Sequence, residues 1–93
     1  MHDYDVIILD VRSQAEFDQG HIEGAVLLPV DEIAQRAEEV ITSMEQVVLI
    51  YCRSGVRSEN AARTLSEMGF VNVYDFGGII DWPYEIFVTF IGG

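Results

Sequence analysis

The run Val47-Val48-Leu49-Ile50-Tyr51 constrains this chain more than any other stretch. Five consecutive apolar or aromatic residues, three of them β-branched, predict a short strand buried on both faces. The strand stops at Cys52, the only cysteine of the chain. Arg53-Ser54-Gly55-Val56-Arg57-Ser58 follows as a loop. Beyond it Ala61, Ala62, Leu65 and Met68 take helical spacing, and Gly69 suits the end of that helix. Strand, short loop and helix start gather backbone N–H groups around a concavity, with the positive end of the helix dipole behind it. Amide dipoles and guanidinium groups favour thiolate over thiol, so Cys52 is the candidate nucleophile. Arg53, Ser54, Gly55, Val56, Arg57 and Ser58 are its candidate anion-binding loop, with Ser58 either lending its hydroxyl to the pocket or capping the helix.

The rest of the chain repeats the alternation of strand and helix. Val6 to Leu9, Val26 to Leu28 and Val71 to Tyr74 predict three further strands. Residues 14–19 predict one or two helical turns anchored by Phe17. Val30, Ile33, Ala34, Ala37, Ile41 and Met44 form an apolar stripe of helical period, with Asp31 and Glu32 suited to its first turn by capping and by the dipole. Asp75 to Gly78 is expected to be a turn, Ile79 to Trp82 a last helical turn with Trp82 as a core anchor, and 85–93 an apolar tail. Short buried strands between helices imply an α/β domain over 1–93, with a mostly parallel sheet of four to five strands and helices on both faces. In such sheets the working site lies beyond the carboxyl ends of the strands, where Asp10, Pro29, Cys52 and Asp75 all fall.

Ninety-three residues make one small domain. One cysteine excludes an internal disulfide and a cysteine-rich zinc site, and His2 and His21 lack paired spacing, so neither metal nor cofactor is expected. A lone thiol fits a reducing compartment, most simply the cytoplasm. Sixteen acidic residues against five arginines give a formal charge of −11, which would repel nucleic acid. Against that background, two arginines beside the one thiol are informative. No apolar run approaches the roughly 20 residues of a membrane span, and no leader is visible. Asp10 and Arg12 are expected to be structural, satisfying backbone groups or pairing with an acid such as Glu16, and His21 to be a satisfied loop histidine.

Four segments resemble the single-domain rhodaneses, or thiosulfate sulfurtransferases. Ile8-Leu9-Asp10-Val11-Arg12 with Glu16-Phe17 is similar to their first signature. Gly20-His21-Ile22-Glu23-Gly24-Ala25 with Pro29 is similar to the second, where proline is more usual at the position of Glu23. Cys52 to Ser58 resembles their active loop, and Gly77-Gly78 with Trp82 their C-terminal signature. Together they cover residues 6 to 82 in the expected order. The resemblance implies a rhodanese-like α/β fold and a cycle in which Cys52 takes the outer sulfur of thiosulfate and passes it from a persulfide to cyanide or a thiol. It also implies anion binding by the loop amides and Arg57, with Arg53 in a lesser binding role. The chain departs from the family at both ends. Only five residues precede Val6, where a strand and helix are usual, and the apolar tail is unusual. An uncovered sheet edge invites pairing, so a weak homodimer or a protein sulfur donor or acceptor joins the monomer among the expectations.

Two other readings compete. Cysteine phosphatases and arsenate reductases also cradle an oxyanion, but their loops resemble C-x5-R, whereas four residues separate Cys52 from Arg57. The tighter loop suits a sulfur atom better than a tetrahedral phosphate. A persulfide carrier or a regulatory binding module without turnover is the other, and the presence of both Cys52 and Arg57 argues against the module.

Overall fold

The computed structural model describes residues 6–78. The elements run β1 (Val6–Asp10), α1 (Gln14–Gln19), β2 (Val26–Leu27), a 3-10 turn (Val30–Glu32), α2 (Ile33–Val40), β3 (Val47–Cys52), α3 (Val56–Met68) and β4 (Val73–Gly78). The four strands form one all-parallel sheet in the order β2-β1-β3-β4. Parallel strands need crossover connections. α1 lies between the neighbours β1 and β2, α2 carries the chain from β2 past β1 to β3, and α3 joins the neighbours β3 and β4. The predicted helical turn at 79–82, Trp82 and the tail at 85–93 lie outside the described residues.

Alternation along β3 divides the labour of the sheet. Val48, Ile50 and Cys52 face the core with Leu9, Leu28, Ile33, Ala37, Ala61 and Leu65, all 0–1% exposed. That core lies between the sheet and the packed pair α2 and α3. Tyr51, equally buried, points to the opposite face, where Phe76 lies against its ring. Ser58, Ala61 and Leu65 are the buried residues of α3, and Gly69 closes that helix by donating its N–H to the Leu65 and Ser66 carbonyls.

Three local expectations need correction. The helical stripe was expected to reach Met44, but α2 ends at Val40 and Ile41 is extended. The β-branched run Val40-Ile41-Thr42 propagates a helix poorly, and the Gln46 side chain accepts the Thr42 N–H at 2.9 Å instead of a helical carbonyl. Met44 is accordingly 43% exposed, while Ile41 stays buried. Asp31 and Glu32 make no side-chain cap. Glu32 instead accepts a hydrogen bond from Arg36 one turn on, at 2.7 Å. Finally, Asp75 to Gly78 is strand rather than turn. A bulge opposite Ile50 and Cys52 lets β4 continue until Gly78 sits beside Cys52.

Candidate active site

Cys52 is the last residue of β3, 1% exposed, and the loop beyond it doubles back over its sulfur. Gly55 makes that return possible. Its φ of 107° is costly for any residue with a Cβ, and it aims the Gly55 N–H at Sγ, 3.0 Å away. The Ser58 hydroxyl lies 3.6 Å from the same sulfur. Burial pushes the Cys52 thiol up, but the Ser58 amide and hydroxyl, with the amides of Gly55 and Ser54, outweigh it and hold the thiol below its ordinary value. The first turn of α3 therefore contributes as the sequence suggested, through N–H groups that no helical carbonyl can use.

Ser58 does not cap α3, because Gly55 occupies the cap position. Its Oγ lies 2.7 Å from Asp75 Oδ1 and 3.0 Å from the Gly55 carbonyl. The hydroxyl has one proton: a neutral thiol can donate to Oγ, while a thiolate competes with Asp75 for that proton. Arg53, Ser54 and Val56 are exposed along the outer loop, Val56 at 65%.

Arg57, which the resemblance implies as an anion ligand, is engaged in the structure by a carboxylate of this chain. Its Nη1 and Nη2 donate to Oε1 and Oε2 of Glu16 at 2.8 and 2.9 Å, a two-pronged ion pair. Glu16 is itself held by Ser13, whose N–H and Oγ both donate to Oε1 at 3.0 Å in the capping box that starts α1. The hydrogen bond from Arg57 and those from Ser13, against a smaller opposing effect of burial, hold the Glu16 carboxyl down at about 2. Glu16 and the presence of Cys52 nearby keep the Arg57 charge favourable in turn. Arg57 also borders a cleft of about 310 Å³ walled by Val11, Pro29 and Val30, with Arg12, Ser13 and Asp31.

Arg12 pairs with Asp10 rather than with Glu16. The fully buried Asp10 accepts the Arg12 backbone N–H and Nε, its Nη2 at 2.6 Å, and the Tyr51 hydroxyl at 2.7 Å. Arg12 also donates to the Gly20 carbonyl, and Tyr51 Oη accepts the Ile22 N–H. The correction follows from reach: with only Val11 between them, the guanidinium folds back on Asp10, and Glu16 is already engaged elsewhere. His21 Nδ1 bonds the Phe17 carbonyl at 2.8 Å and its ring stacks on Phe17, as a structural loop histidine would. These hydrogen bonds tie the ends of β1 and β3 to the loop at residues 20–22. The sequence carries no sign of Glu16 as the partner of Arg57 or of the Tyr51 hydroxyl, and it places Asp75 at the working edge without its hydrogen bond to Ser58. The spacing Ser13-x-x-Glu16 signals the capping box that starts α1, though not the pairing with Arg57. Among the described residues, no cluster of histidine, cysteine, aspartate or glutamate could hold a metal ion.

A parallel α/β sheet with a thiol cradled by loop amides at a strand's carboxyl end defines a class of cysteine domain built to stabilise charge on sulfur. Within that class, this chain belongs to the rhodanese-like family: the profile described as Rhodanese-like domain matches residues 1–83. It is 34% identical over 73 residues to the thiosulfate sulfurtransferase PspE of Escherichia coli, covering 78% of this chain and 70% of that one. Over 79 residues it is 42% identical to a sulfurtransferase of Allochromatium vinosum, with 84% and 72% covered. A solved structure titled as a rhodanese with anions from E. coli superposes with a TM-score of 0.84 at 30% identity, covering 89% of this chain and 98% of that one.

Proposed function

We propose that this domain carries sulfane sulfur on Cys52. The Cys52 thiolate attacks the outer sulfur of thiosulfate, or of a protein or small-molecule persulfide. With thiosulfate, a new S–S bond forms to Sγ while the old one breaks, and its electron pair leaves with sulfite. The Cys52 persulfide then gives its outer sulfur to a thiophilic acceptor, cyanide or a thiol, and the electron pair of that bond returns to Sγ. The observation that carries this reading is the Gly55 N–H on Sγ at 3.0 Å. A preorganised donor there stabilises the attacking thiolate and the restored leaving group alike. A cysteine 1% exposed also suits the passage of one sulfur atom more than a tetrahedral phosphate. Commitment of Arg57 to Glu16 weighs in the same direction, since phosphate transfer needs that charge over the sulfur. The lone cysteine supports an external acceptor and a reducing location such as the cytoplasm.

Intact mass after incubation with thiosulfate is the direct test. The wild-type chain should gain one sulfur atom and lose it to cyanide, and Cys52→Ser should gain none. A wild-type chain that stays unloaded by thiosulfate and by an organic persulfide would refute the proposal.

A further inference from the structure

We infer that Glu16 is a specificity-determining residue, which lowers the affinity of the site for doubly charged sulfur donors and favours neutral or singly charged organic ones. This rests on the sulfur-transfer reading and extends it to the donor. Arg57 is the half-buried guanidinium nearest the loop in sequence, and its side chain would otherwise be the group to attract thiosulfate. Glu16 accepts one hydrogen bond from each prong of that guanidinium, at 2.8 and 2.9 Å. The carboxylate cannot easily swing away, because Ser13 fixes Oε1 by two hydrogen bonds at the start of α1. The result is a net-neutral pair, which leaves the exposed Arg53 as the one unmasked guanidinium of the loop among the described residues, on a chain of formal charge −11. A dianion then meets less attraction than two free guanidinium groups would give, and what binds it is the set of loop amides with the solvent-screened Arg53.

The cleft beside Arg57 supports the same assignment. Its volume of about 310 Å³ and its walls of Val11, Pro29 and Val30 are more than an inorganic anion needs. They suit the carbon skeleton of an organic persulfide. In that exchange the Cys52 thiolate takes the outer sulfur of the donor, and the donor's S–S bond breaks with its electron pair leaving as a thiolate.

Glu16→Gln isolates the charge, because glutamine preserves the capping box with Ser13 and one acceptor for Arg57. Thiosulfate and methanethiosulfonate serve as probes, since both give the same Cys52 persulfide but carry two charges and one. The expected result is a fall in KM for thiosulfate of roughly three- to tenfold in Glu16→Gln, as for an unmasked charge near a surface site. The fall should be smaller for methanethiosulfonate and should shrink with added salt. A KM for thiosulfate that is unchanged or raised would overturn the inference, as would equal shifts for the two probes. Melting curves and wild-type mass loading keep the outcomes apart. A folded wild type that never takes up sulfur refutes the function, whereas a wild type that loads beside a Glu16→Gln chain without the shift refutes only the role of Glu16.

Discussion

Gly78 offers the sharpest test of how the loop is held. It pairs with Cys52 across the bulge, close under the turn it supports. A Cβ on Gly78 would stand 2.4 Å from the Arg53 carbonyl oxygen and 2.7 and 2.9 Å from Cα and C of Ser54. These are backbone atoms with no rotamer to adopt, and normal carbon contacts begin near 3.5 Å, so β4 and the loop must part by about 1 Å. Overpacking of that kind costs about 1–3 kcal/mol, and a shift of about 1 Å at a reactive group can cost about a hundredfold in rate. Gly77→Ala is the matched comparison. Nothing lies within 4 Å of its Cβ, and only a φ of 96° opposes the change, worth about 1–2 kcal/mol. Denaturant titration paired with the rate of sulfur loading separates the two. Both variants should lose stability, but Gly78→Ala should lose loading by about a hundredfold and Gly77→Ala far less. A Gly78→Ala chain that loads sulfur as fast as Gly77→Ala would refute the claim that close approach of the strand shapes the loop.

Other consequences can be measured separately. Ser58→Ala removes a donor from the thiolate and should move the pH midpoint of Cys52 alkylation upward, whereas Asp75→Asn, which competes less strongly for the Ser58 proton, should move it downward. The Glu16 carboxyl sits at about 2 in the fold against 4.5 ordinarily, so its contribution is complete above pH 4.5 and is lost as pH falls through 2. A shift of that size is worth at most about 3 kcal/mol, and partial exposure reduces the expected loss to about 1 kcal/mol. Arg57→Ala should flatten this part of the stability profile in acid titrations. Tyr51→Phe leaves Asp10 with one donor fewer and the Ile22 N–H unpaired, which should cost about 1–3 kcal/mol by denaturation.

What could be read from the chain in advance follows the range of each interaction. Val47 to Tyr51 and the stripe Ala61, Leu65, Met68 announce their elements by local period, and the parallel sheet follows from their alternation. The thiol cradle was legible for the same reason, since Cys52, Gly55 and Ser58 lie within one short loop. The pairing of Arg57 with Glu16 spans 41 residues and depends on where α1 settles, which no local pattern states. The expectation for Arg12 of backbone groups or an acid such as Glu16 meets the Gly20 carbonyl and Asp10 instead, while Glu16 is held by Ser13 and Arg57. Gly77-Gly78 looked like a turn, as paired glycines usually do. Here their freedom is used to let a strand run close beneath a loop.

Tyr51 and Cys52 are neighbours in sequence, yet they project from opposite sides of β3. One is anchored through its hydroxyl to Asp10 and Ile22, and the other sits under the Gly55 amide and the Ser58 hydroxyl. Transplanting Cys52 to Ser58 alone onto a foreign scaffold would therefore carry the chemistry without its foundation. A graft meant to hold the same cradle would have to bring Asp10, Arg12 and Tyr51 with it, so the unit of inheritance for this geometry is a pair of adjoining strands and not a heptapeptide.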